Sequence, residues 1–147
     1  MLKLTQLAGF GAGGSVDVTP NPISFSDIFD AGVTASVATD VVTIAGINAS
    51  ITLRLTLTSS MSPSQTVDVY RSGAYVTTES SGTAIDIAIA NNQTLQFVFT
   101  NAEDNTLWSG TATLANLSDA NATLDTFAYT LQDTGSPGGG GGGGDPP

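Results

Sequence analysis

The sequence predicts an all-β domain, two sheets packed face to face, flanked by two glycine-rich arms. Three observations predict it. From residue 33 onward the dominant hydrophobic period is two, turn-forming residues interrupt it at short intervals, and no segment carries a sustained 3.6-residue stripe.

The clearest strand is Ile51, Leu53, Leu55 and Leu57, with Thr52, Arg54, Thr56 and Thr58 between them. Further runs place Ile85, Ile87 and Ile89 on one face, then Leu95, Phe97 and Phe99, then Trp108, Ala112 and Leu114, then Phe127, Tyr129 and Leu131. Threonine suits the outward positions because a β-branched side chain packs well on a pleated surface. Between Val67–Arg71 and Ala74–Val76, the pair Ser72-Gly73 predicts a tight two-residue hairpin. Gly46-Ile47-Asn48, Ser81-Gly82, Asn91-Asn92 and residues 101–105 supply the other turns. Ser24–Asp30, following Pro22, is the one stretch that reads as a helical turn. Seven to nine short strands at this spacing point to an antiparallel sandwich of immunoglobulin-like type.

Glycine use sets the boundaries. Of 17 glycines, four lie in residues 9–14 and eight in residues 135–144. The reading is therefore an N-terminal arm over 1–15, a sandwich over 16–134 and a flexible tail over 135–147, since polyglycine has nothing to bury against the entropy of ordering. Leu2, Leu4, Leu7 and Phe10 form an apolar set in the first arm. Three readings stay open for it: a first strand of the sandwich itself, an arm that docks on a neighbouring subunit, or a disordered segment. Thr5, Gln6 and the glycines break any apolar core of a secretory signal, and no run approaches the roughly 18 residues of a membrane span.

The composition excludes much chemistry. His and Cys are absent, which removes Ser-His-Asp and Cys-His catalysis, disulfides and thiolate metal sites. Thirteen acids face only Lys3, Arg54 and Arg71, and a net charge of −10 argues against nucleic acid or an anionic membrane as partner. The acids are scattered, as on a solvated surface. Gly9–Gly14 has neither dinucleotide-binding spacing nor a phosphate-loop lysine. No enzyme activity and no cofactor are expected. Calcium takes oxygen ligands, and Asn101, Glu103, Asp104 and Asn105 cluster in one loop, although their spacing matches no standard calcium loop and acidic turns of sandwiches are mostly only turns. Trp108 alternates with core residues, which leaves Tyr70 and Tyr75, flanking the hairpin, as candidates for surface recognition; the alternative is that one ring closes the core while the other shields the hairpin.

Val41-Val-Thr-Ile44-Ala-Gly46-Ile47-Asn48, the Tyr70–Tyr75 hairpin and the turn from Ala90 to Phe97, with the lead-in Thr19–Ile28, resemble an immunoglobulin-like module of bacteria and phages. The likeness spans residues 19–131 and departs at Asn92-Gln93, where Gly-Asp is usual. It carries no catalytic residues. The resemblance implies a virion structural protein of a phage-like particle, such as a capsid decoration, head fibre or tail-associated subunit. Its expected partners are other virion proteins and copies of itself, met through the N-terminal arm at the particle surface. The alternative is an extracellular or cell-surface adhesion module, binding glycan or protein through Tyr70, Tyr75 and the 101–105 loop.

Overall fold

Alternation becomes burial almost residue for residue. In the computed structural model, which describes residues 14–135, Ile51, Leu53, Leu55 and Leu57 are buried while Arg54, Thr56 and Thr58 are exposed. Ten strands follow in chain order: β1 (Ile28–Gly32), β2 (Ala35–Ala38), β3 (Val42–Ile44), β4 (Ile51–Met61), β5 (Gln65–Arg71), β6 (Ala74–Glu79), β7 (Gly82–Ile89), β8 (Gln93–Asn101), β9 (Leu107–Asn116) and β10 (Ala122–Asp133). They form two sheets, ordered β1-β10-β9-β4-β7 and β2-β8-β5-β6, with β3 also pairing β8.

The expected two-sheet sandwich is present, with ten strands rather than seven to nine and with one parallel pair, β1 beside β10. The helical turn expected over Ser24–Asp30 does not form, and no helix occurs among the described residues. Two carboxylates explain the difference. Asp27 accepts the backbone N–H of Ala128 at 2.7 Å, and Asp30 accepts that of Ser36 at 2.7 Å. They hold the chain extended along β10, so Ile28 enters the core while Phe29 faces out.

The middle of the chain keeps immunoglobulin neighbours, β4 with β7 in one sheet and β6-β5-β8 in the other. The final hairpin differs. An immunoglobulin domain pairs the strand after F with F itself, whereas β9, which follows β8, here pairs β4 in the opposite sheet and carries β10 on its other edge. β2 and β3 cover the vacated edge of β8. Both strands of the last hairpin thereby bring aromatic side chains under β8. Trp108 and Tyr129 lie 5.1 Å apart, each within 6 Å of Phe99, and Phe127 meets Phe25 at 5.3 Å. Such pairs add about 0.5–1.5 kcal/mol each beyond their burial.

The turns follow their residues. Ser72 and Gly73 both have positive φ, 52° and 76°, as a type I′ hairpin requires. At the β7–β8 turn Asn92 takes φ 63°, and the Gln93 side chain accepts the N–H of Ala90 at 2.8 Å. Asparagine thus fills the left-handed position where the resembled module uses glycine.

Candidate functional site

Half of the described carboxylates in this protein fasten the backbone. Thirteen acids occur, and twelve are described because Asp145 lies outside residues 14–135. Six of the twelve accept a main-chain N–H: Asp17 from Thr19, Asp27 from Ala128, Asp30 from Ser36, Asp40 from Ser26, Asp125 from Phe25 and Asp133 from Gly135. Four more engage side chains: Asp68 with Thr78, Asp86 with Arg54, Glu103 with Ser62 and Asp119 with Thr19. The acids are therefore not the idle solvated set their scatter implied. The hydroxyl and backbone N–H of Ser26 hold the Asp40 carboxyl below its usual range. Arg54 does the same for Asp86, and the pair raises Arg54 in turn.

These clips concentrate on the lead-in, residues 14–27, which has no strand of its own. The Asn48 side chain grips it twice, donating to the carbonyl of Ser15 and accepting from the N–H of Asp17. Buried Asn116 donates to the carbonyl of Val18 at 2.6 Å. Asn21 donates to the carbonyl of Ala45 and packs on Gly46, where a Cβ would sit 2.5 Å from its Oδ1. Farther on, a register shift between Thr123 and Asp125 marks a bulge in β10. From there Asp125 takes the Phe25 N–H at 2.6 Å, and Phe25 seals the core. The lead-in is thus held along its length at the loop end of the sandwich.

Tyr70 and Tyr75 are cross-strand partners with rings 6.0 Å apart, edge to face. Tyr75 is 57% exposed and Tyr70 is half-buried, and neither enters the core. The Tyr75 hydroxyl bonds Thr78, which bonds Asp68, so the outer face of β5–β6 is a linked aromatic and polar strip.

The 101–105 loop is elsewhere. Asn101 pairs with Gln65 at the start of β5, whereas Tyr70 lies five residues on, roughly 17 Å along the strand. The structure therefore does not bring the tyrosines and this loop into one surface. Asn101 itself is a buried hub. Its Nδ2 donates to the carbonyls of Thr106 and Leu131, and its Oδ1 accepts from Gln65 and the Glu103 N–H. Glu103 accepts from Ser62 at 2.6 Å, Asn105 packs on Gly135, and Asp104 is exposed. Of the four candidate calcium ligands, two are engaged in the scaffold. Among the described residues no group of three or more acids is placed to hold a metal ion. Leu2, Leu4, Leu7 and Phe10 lie outside the described residues.

One surface feature had almost no signal in the sequence. A cleft of about 260 Å³ opens between β5 and β7, lined by Ser50, Arg71, Ala88, Ile89, Ala90 and Gln93. Arg71 continues the inward row Val67, Val69 at the end of β5, opposite Leu95, and donates from Nη1 to the carbonyl of Ala88 at 2.7 Å. A charged residue at an inward position was the only available hint.

No protein-family model and no curated protein matches the sequence. A solved structure of the N-terminal domain of PorA superposes with a TM-score of 0.44 at 10% identity, covering 78% of this chain and 88% of that one. A likeness at that level indicates neither ligand nor function.

Proposed function

We propose that the chain is a non-enzymatic structural module that displays its β-sandwich and attaches through the arm preceding residue 14. The observation behind the reading is the clipped lead-in. Side chains from the loop after β3, the end of β9 and β10 hold residues 15–25 although these form no strand. A load on the arm would therefore pass into the body of the sandwich rather than stretch a loose linker. The commitment of ten acids to structural hydrogen bonds argues in the same direction, because few remain for proton transfer.

The finer proposal is a subunit of a phage-like particle, a decoration, head fibre or tail-associated protein, associating with copies of itself and other virion proteins. It rests on the resemblance of residues 19–131 to phage immunoglobulin-like modules. The test is deletion of residues 1–13. The shortened chain should keep its melting temperature but lose the self-association that light scattering detects in the full chain. Equal masses for the two, or a full chain that is monomeric at every concentration, would overturn the arm's role.

A second reading is an adhesion module, favoured by the exposed Tyr75 beside Tyr70. Glycan-array binding that disappears in Tyr75→Ala, at unchanged stability, would replace the first reading with this one.

A further inference from the structure

Cations are scarce on this surface, which makes the placement of each one informative. Of the two arginines, Arg54 is committed to Asp86 through Nε at 2.6 Å and Nη2 at 2.7 Å. Arg71 has no carboxylate partner among the described residues, despite twelve acids in the same body. It is half-buried and makes one hydrogen bond, from Nη1 to the Ala88 carbonyl. A guanidinium offers five N–H donors in a planar fork, so most of the fork is left over.

The neighbours in the cleft add donors and no charge. The carbonyl oxygen of Gln93 accepts the Ala90 N–H at 2.8 Å, which leaves its amide nitrogen as the group it can offer. Ser50 contributes a hydroxyl, while Ala88, Ile89 and Ala90 supply small apolar surface. A fork of charged donors, an amide and a hydroxyl over an aliphatic wall matches a planar carboxylate on a compact carbon framework. The volume, about 260 Å³, is below that of drug-sized pockets and fits something near one sugar ring. The −10 charge of the whole chain disfavours a phosphate dianion more than a singly charged carboxylate.

We propose that the β5–β7 cleft is a binding site for a single carboxylate, carried by a uronic-type sugar, with Arg71 as the charged anchor and Gln93 as the neutral donor. This is independent of the arm-based reading above, because it involves neither the arm nor self-association. A small organic acid shares the same chemistry, and the experiment separates the two sources.

The full-length ¹⁵N-labelled protein is titrated with glucuronate, glucose and acetate in turn, at constant pH and ionic strength. Both carboxylates should shift the amide signals of Arg71, Ala88, Ala90 and Gln93, while glucose should not. Tighter binding of glucuronate than acetate supports a sugar ligand; equal binding overturns the sugar while keeping the carboxylate site. Arg71→Gln should abolish the shifts. Because Arg71 also ties β5 to β7, Gln93→Glu serves as a second variant. It keeps an oxygen for the Ala90 N–H, replaces the donor with a carboxylate, and should weaken binding about tenfold or more. Higher salt should weaken it further. An absence of shifts at these amides, an equal response to glucose, or unchanged binding in both variants would overturn the proposal.

Discussion

Gly110 lies on the inner face of β9 between Trp108 and Ala112, directly opposite Tyr129 in the ladder. It is the position where one added methyl has the clearest consequence. A Cβ there would stand 2.5 Å from Thr58 Oγ1, 2.6 Å from Tyr129 Oη and 2.9 Å from Tyr129 Cζ. Thr58 has a torsion to turn about, although its hydroxyl also accepts the Thr111 N–H at 2.8 Å. Tyr129 cannot retreat, because it is fully buried between Trp108 at 5.1 Å and Phe99 at 5.3 Å. Overpacking a rigid core costs about 1–3 kcal/mol. Replacing glycine in a strand returns about 0.5–1 kcal/mol of backbone entropy. Gly110→Ala should therefore destabilise by about 1–2 kcal/mol, a fall of roughly 4–8 °C in Tm for a domain of this size. Tyr129→Phe removes the clashing Oη, a hydroxyl that otherwise serves only as a 3.4 Å acceptor for the Ser59 N–H. Thermal melts of wild type, both single variants and the double should show that Gly110→Ala costs less when residue 129 is phenylalanine. An unchanged Tm for Gly110→Ala, or strict additivity in the cycle, would refute the steric argument.

Other perturbations test the clips and the loop. Asp125→Ala strips the partner from the Phe25 N–H and should cost about 1.5–3 kcal/mol in denaturant unfolding, with Asp125→Asn losing less. Protease cleavage within residues 14–27 should accelerate in the same variant. The depressed carboxyls of Asp40 and Asp86 stabilise the fold above their unfolded-state values and lose that contribution as pH falls through the lower folded-state values. The acid limb of a Tm-against-pH curve, below about pH 4, should flatten in Asp40→Asn, and an unaltered limb would contradict the assignment. Asn101→Leu leaves the Gln65 amide and the Leu131 carbonyl without this partner and should cost about 2–3 kcal/mol. With Asn101 and Glu103 already engaged, calcium should not raise the wild-type Tm; a concentration-dependent rise would restore the 101–105 site.

Strands from β4 onward, β6 apart, were legible because each buries one face. Ile51 to Leu57 and Leu95 to Phe99 can pair in only one parity without exposing a row of large apolar side chains. The Ser72-Gly73 hairpin was equally plain, since few residue pairs tolerate two positive φ values. β1 and β2 were not, because their short runs alternate weakly and their extended state depends on Asp27 and Asp30 reaching partners far along the chain. The place of Tyr70 and Tyr75 beside the turn marked them as candidates but left open whether one ring closes the core, because alternation does not show which face of an edge hairpin is covered. Arg71 passed unnoticed, because a lone cation at a strand end has no pattern until the element facing it is known.

The sequence by itself determined an all-β sandwich, its main strands and hairpin, and the absence of the His and Cys that histidine triads and thiol chemistry require. Those conclusions follow from properties local to the chain: period, φ preference and the presence of side-chain groups. Tertiary structure alone decided that the last hairpin crosses to the sheet of β4, that scattered acids clip a strandless lead-in, and that Arg71 faces β7 across an open cleft. The contacts behind these features join residues far apart in sequence, as with Phe25 and Asp125, separated by 100 positions. Alternation fixes which way a side chain points, but only the order of the strands fixes what it meets.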